Sequence, residues 1–136
     1  MKFRLIILLL LSCLGNHVNG QDSAQTTYPL AVKFISIGTG VPDNKPVMDF
    51  IAAFKKKNKI CEIKIDRIGP LGKEGEYDLA FRLTELTKKQ KKLFIQQIKK
   101  VNKKTGDRGH IHYEENVSYD KSKQPVHGKL QTIKIE

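Results

Sequence analysis

Several short segments of the chain alternate between hydrophobic and polar residues, the pattern of a strand with one buried face. The predicted strands are residues 31–37, 61–66, 76–83, 110–117 and, near the C-terminal end, 130–135. The first strand has apolar residues on both faces, Val32 with Phe34 on one and Ile35 with Ile37 on the other. Both faces of this strand are therefore expected to be covered.

The strands at 61–66 and 76–83 alternate cleanly and make definite predictions about orientation. The inward residues are predicted to be Cys61, Ile63, Ile65, Tyr77, Leu79, Phe81 and Leu83. The outward residues are predicted to be Glu62, Lys64, Asp66, Asp78, Ala80 and Arg82. Cys61 is thus expected to be a buried, inert thiol.

Two segments carry apolar residues at helical spacing. The first helix is predicted to begin at Pro46, whose missing N–H suits a first turn, and to end near Lys57. The second follows Thr87, which can form a capping box with Gln90, and is predicted to end at Gly106. Each helix has one apolar side that needs a sheet or another helix to cover it.

The order strand, helix, strand, strand, helix, strand is that of the split βαβ arrangement. It predicts an α+β fold that resembles the ferredoxin-like fold, an antiparallel sheet with two helices on one face and an extra C-terminal strand. If Val32 and Phe34 face the helices, Ile35 and Ile37 lie on the other face. That face would be covered by the C-terminal strand region or by a partner such as a second copy, as in a homodimer.

The first twenty residues differ in kind from the rest of the chain. A basic start, the apolar run LIILLLL and an exit of small residues are typical of a secretory signal peptide over residues 1–20. Cleavage before Gln21 competes with a lipoprotein signal ending before Cys13, the residue that would then be lipidated. Residues 21–30 are predicted to be a polar tether, and residues 31–136 a single domain. The protein is expected to be periplasmic, secreted or an envelope-anchored lipoprotein.

The charge of the chain favours anionic partners. The formal net charge is +11 and the isoelectric point is near 9.7. Without Lys2 and Arg4, 23 basic and 14 acidic residues remain, a net charge of about +9. On the second predicted helix, one arc of the surface carries the residues Lys88, Lys89, Lys92, Lys99, Lys100 and Lys103. We interpret this arc as a binding surface for an anionic envelope component or partner protein, with a solvated helix face as the alternative.

The sequence HIHYEE suggests a second kind of site. On a strand, His110, His112 and Glu114 project from the same face. Two histidines and a carboxylate can bind zinc or another divalent metal ion. A solvated surface and a pH-sensitive contact are the alternatives.

Several chemistries are not supported by the sequence, and no cofactor is predicted. The loop after the first strand contains Gly38 and Gly40, but Asp43 stands where a dinucleotide-binding loop needs its third glycine. No serine lies in a nucleophile elbow, so the protein is not expected to be an enzyme. The outward residues of the third strand include no aromatic residue, so specific nucleic-acid binding is not expected.

The sequence thus predicts a small exported, non-catalytic binding module of the cell envelope with a basic surface. It is expected to meet a membrane only through a lipid anchor at Cys13. Two alternatives remain open: a divalent-metal-binding protein, and a protease inhibitor or propeptide-like module. The inhibitor or propeptide hypothesis rests only on an analogy between the orders of strands and helices.

Overall fold

The computed structural model describes residues 25–101, 108–120 and 131–133. The signal peptide, Cys13, residues 21–24 and Lys103 lie outside these residues. The elements, in chain order, are β1 (Gln25–Ser36), α1 (Lys45–Asn58), β2 (Ile65–Ile68), β3 (Tyr77–Phe81), α2 (Lys88–Ile98), β4 (Gly109–Asp120) and β5 (Gln131–Ile133).

All strand pairings are antiparallel, and the strands lie in the order β4-β1-β3-β2-β5. The two helices share one core with a single face of this sheet. The predicted ferredoxin-like α+β fold is therefore confirmed. The extra C-terminal strand extends the sheet beyond β2, where Arg67 pairs with Gln131.

The core between sheet and helices follows the alternation in the sequence. Val32 and Phe34 face the helices together with Leu79. Phe94 of α2 lies among aromatic rings, at centroid distances of 5.0 Å from Phe54 and 5.6 Å from Phe81. Aromatic rings at such distances bury large apolar areas and fix how α1, α2 and β3 pack.

The second helix begins as predicted but ends early. Thr87 accepts a hydrogen bond from the backbone N–H of Gln90, and the Gln90 side chain accepts one from the backbone N–H of Thr87. α2 ends at Ile98, not near Gly106. The Tyr113 hydroxyl donates to the Val101 carbonyl at 2.7 Å, so a contact with β4 holds the chain just after the helix.

We expect Thr87→Ala to lower the free energy of unfolding by about 1 kcal/mol, because the capping box satisfies two N–H groups that the helix itself cannot. Chemical denaturation followed by circular dichroism measures this change. Thr84→Ala, at an exposed position nearby, is the matched control and should have little effect. Equal losses in the two variants would contradict a specific role for the cap.

The predicted tether is wrong for residues 25–30, which form the first half of β1 and pair with β4 or β3. Tyr28 and Leu30 are buried, at 1% and 0% exposure. The residues around Tyr28 are mostly polar, so their pattern did not predict a strand. This part of β1 is stabilised by pairing with residues far away in the sequence. Such pairing leaves no local periodicity in the sequence.

The predicted strand at 61–66 is only partly correct, because β2 begins at Ile65. Ile63 and Ile65 are buried as expected, but Cys61 is exposed. Alternation predicts the direction of a side chain only within a strand, and Cys61 precedes the strand.

We therefore expect Cys61 to react with a water-soluble maleimide in the folded protein without denaturant. Intact-mass spectrometry of wild type and Cys61→Ser counts the labels. The substitution should remove one label acquired under native conditions. A thiol that is modified only in denaturant would contradict its exposure.

Part of the sheet face opposite the helices is covered by tyrosines. Tyr28 packs with Ile68, Ala80 and Tyr119 on this face. Strand alternation would instead place Tyr28 on the same face as Leu30, two positions later, which faces the helices. The side chains of β1 and β4 therefore change the sheet face on which they lie between Tyr28 and Leu30. Asn116 lies at this point of β4 with a φ of 57°, a conformation that Asn adopts more readily than most residues.

The predictions that Asp66 and Asp78 face solvent are wrong, since they are 1% and 4% exposed. They do lie on the face away from the helices, but Tyr28 and Tyr119 cover them. Ile35 is half-buried there and Ile37 is exposed. A second copy as a cover for this face stays a prediction.

Candidate functional site

Three lysines of α2 line a cleft on the surface. Lys88, Lys91 and Lys92 form its basic wall, and Ile95, Gln96 and Glu115 of β4 complete it. The cleft has a volume of about 440 Å³. Ile95 and the apolar stems of the lysines contribute apolar surface to the cleft.

The helical repeat explains why these residues meet. Positions 88, 91, 92, 95 and 96 are spaced i, i+3, i+4, i+7 and i+8, so they share one stripe of α2. Lys91 was not among the predicted site residues. Its spacing from Lys88 and Lys92 was a usable signal, but the sequence could not show which flank of the helix borders β4.

The other predicted lysines fall into different settings. Lys89 and Lys100 are exposed but do not line the cleft, and Lys100 lies beyond the end of α2. Lys99 forms an ion pair with Glu115. The structure therefore divides the predicted arc: of its five members in the described part of the chain, Lys88 and Lys92 line the cleft.

The ion pair between Lys99 and Glu115 leaves the cleft strongly basic. Glu115 is the acidic residue of the cleft wall, and Lys99 neutralises it. Within the part of the chain that the structure describes, Lys88, Lys91 and Lys92 form no ion pair. Three lysines without an ion pair thus line one concave surface, which favours an anion.

The predicted metal residues do not form a metal centre in this structure. Across residues 25–101 and 108–120, no group of three or more His, Cys, Asp or Glu side chains is placed to hold a metal ion. Glu114 instead pairs with Lys33 at 2.5 Å, and this lysine lowers the pKa of the Glu114 carboxyl. The strand spacing predicts the shared face correctly, but Lys33 on the neighbouring strand competes for the carboxylate.

The opposite sheet face holds two buried carboxylates with definite partners. Asp66 Oδ2 accepts hydrogen bonds from the Tyr28 hydroxyl at 2.7 Å and from Arg82 Nε at 2.9 Å. Asp78 Oδ2 accepts one from the Tyr119 hydroxyl at 2.5 Å. These contacts join the ends of β1 and β4 to β2 and β3, so the network has a structural role.

Burial raises the pKa of Asp78, although the Tyr119 hydrogen bond opposes the shift. Between the ordinary pKa and the raised one, the folded state binds more protons than the unfolded state, so stability falls as pH rises through this window. We expect Asp78→Asn to raise the free energy of unfolding near pH 7, with a difference that disappears at acidic pH. Urea denaturation at several pH values measures it.

Glu114→Gln is the matched control, because its folded-state pKa is lowered and the sign reverses. The stabilisation that the Glu114 carboxylate provides is present above its ordinary pKa, and it is lost as the pH falls through its pKa in the folded state. Glu114→Gln should therefore reduce stability near neutrality. A change in the free energy of unfolding that has the same sign in both variants would contradict these pKa directions.

The glycine-containing loop before α1 is held by its own polar residues. The Asp43 carboxylate accepts the Lys45 backbone N–H at 2.9 Å, and the Asn44 side chain donates to the Tyr77 hydroxyl at 3.0 Å. An N–H that a phosphate-binding loop would offer is thus already used by a carboxylate. This geometry supports the interpretation of the loop as a bend.

Comparison with protein-family models, curated proteins and solved structures found no match for this chain. In the described residues, neither helix has the length and apolar character needed to cross a bilayer.

Proposed function

We propose that the protein is a small exported, non-catalytic binding module that recognises an anionic partner in the cleft formed by Lys88, Lys91 and Lys92. The observation that carries the proposal is the convergence of these lysines without ion pairs, while Lys99 neutralises the acid of the wall. This arrangement concentrates positive potential on one concave surface.

The physical character of the cleft supports a polymeric or extended partner over a small ion. Each lysine is a flexible point charge on a long apolar stem, without the planar fork by which arginine binds one carboxylate or phosphate in a bidentate manner. Ile95 adds apolar area to the wall. A partner with several negative charges and some apolar groups suits such a surface best.

Export is part of the proposal and rests on the N-terminal sequence. A signal peptide over residues 1–20 would deliver the domain to the envelope, with or without lipidation at Cys13. The metal-binding and protease-inhibitor hypotheses stay predictions. Among the described residues, Glu114 is engaged with Lys33, and we observe no contact that favours either hypothesis over the basic cleft.

Binding of fluorescently labelled polyglutamate at different ionic strengths tests the proposal. We expect measurable binding at about 0.01–0.1 M salt that weakens steeply towards about 1 M, where the screening length falls to about 3 Å. Neutral polyglutamine and cationic polylysine of matched length are controls. Equal binding of the three polymers, or binding insensitive to salt, would overturn the proposal.

A further inference from the structure

The cleft borders an edge of the sheet that no other described strand pairs with. β4 is the outermost strand on its side and pairs with β1 alone among the described strands. Its residues 109–115 pair continuously with Leu30–Ser36 on the inner side. An edge strand directs alternate backbone N–H and C=O groups outwards, where another strand can bind them.

The sequence of this edge lacks several features that usually prevent pairing. Proteins commonly protect edges with proline, lysine, bulges or very short strands. Residues 109–115, GHIHYEE, contain neither proline nor lysine, and their charged residues Glu114 and Glu115 are paired with Lys33 and Lys99. β4 has 12 residues, and the interruption at Asn116 comes only after this segment.

The basic cleft lies on the helix side of the same edge. Glu115 pairs across the sheet with Leu30, which faces the helices, so Glu115 also projects towards α2. Its ion pair with Lys99 joins β4 to the end of α2, and the lysine-lined wall extends from there along the helix. A chain lying along residues 109–115 would therefore pass Glu115, which lines the cleft together with the lysines.

The spacing of charges suits an extended chain. Lys88 and Lys92 are four residues apart on a helix, a rise of about 6 Å. Alternate side chains of a strand project from one face at about 7 Å intervals. Acidic side chains at every second position of an extended segment can thus meet successive lysines, and an apolar one can meet Ile95.

We infer that the partner is an acidic, extended polypeptide segment that adds to the edge of β4 as a further strand and places its carboxylates against Lys88, Lys91 and Lys92. The inference rests on the proposed function and specifies the partner. Charge complementarity selects this occupant over a second copy of the chain, since two chains of about +9 repel each other. Backbone pairing supplies affinity and the lysines supply selectivity.

The probe is a synthetic peptide of roughly ten residues in which glutamate alternates with valine. Its control carries N-methyl groups on alternate backbone nitrogens, which keep every charge but remove strand hydrogen bonds. Fluorescence anisotropy measures the affinity of both, and amide hydrogen exchange by NMR reports on β4. We expect N-methylation to weaken binding by roughly tenfold or more, because several hydrogen bonds are lost. Amides within 109–115 should exchange more slowly with the unmodified peptide.

Three outcomes would overturn the inference, and they differ in what they say about the proposed function. If both peptides and polyglutamate bind equally, with no added protection in β4, strand addition is wrong while anion binding stands. If no acidic probe binds, the proposed function fails as well. If β4 is protected without peptide and analytical ultracentrifugation shows a dimer, a second copy occupies the edge.

Discussion

Replacement of Lys88, Lys91 and Lys92 together by glutamine is expected to weaken binding to an acidic polypeptide by about 100-fold at low salt. An exposed ion pair contributes up to about 1 kcal/mol, so the loss of three such contacts corresponds to roughly two orders of magnitude in affinity. Lysine and glutamine have similar helix propensities, so α2 should remain folded. Fluorescence anisotropy with labelled polyglutamate measures the loss, and circular dichroism checks the fold.

The matched control removes the same number of charges elsewhere. Lys56, Lys57 and Lys73 are exposed and lie outside the cleft. Their triple replacement by glutamine lowers the net charge equally and should reduce affinity only slightly. If the two triple variants lose affinity to the same extent, the protein binds through its overall charge, and the cleft is not the site.

Removal of the Asp66 carboxylate is expected to be the most damaging single change to stability. We expect Asp66→Ala to lower the free energy of unfolding by about 3 kcal/mol, because Tyr28 loses its hydrogen-bond acceptor and Arg82 its ionic partner. This loss of stability is at the lower end of the range for a buried ion pair that loses one partner. The reason is that the Arg82 side chain is 46% exposed and can be hydrated. Burial and the Asp66 carboxylate together raise the pKa of Tyr28 to about 12.

Chemical denaturation of Asp66→Ala, Tyr28→Phe and the double variant separates the contributions. Tyr28→Phe should cost about 1 kcal/mol, and the double variant less than the sum of the two losses. Asp49→Ala is the surface control, since its pair with Lys45 is exposed and should contribute little to stability. Similar losses for Asp66→Ala and Asp49→Ala would contradict a structural role for the buried network.

Of the candidate site, the sequence identified the helix and two of the three cleft lysines. It could not identify Lys91 as a member, because the apolar stripe alone does not say which flank of α2 lies beside β4. It also could not show that Lys99 would be neutralised, since Glu115 is 16 residues away in the chain. Ion pairs of this kind depend on strand order, which local patterns do not encode.

The local patterns of the sequence by themselves determined the order of the elements, the extent of α1, the capping box at Thr87 and the helix-facing residues Val32 and Phe34. Each of these depends on neighbours within about one or two turns or on the alternation of a single strand. Such interactions are already specified before the sheet forms.

Only the tertiary structure decided where α2 ends, which face buries Asp66 and Asp78, and where the basic cleft opens. Tyr28 and Tyr119 are 91 positions apart in the sequence, and the pairing of β1 with β4 brings their ring centroids to 5.7 Å. Antiparallel pairing of distant segments places these rings over carboxylates that alternation alone would leave in solvent. The physical reason is that burial depends on what covers a face, and that covering comes from residues far away in the chain.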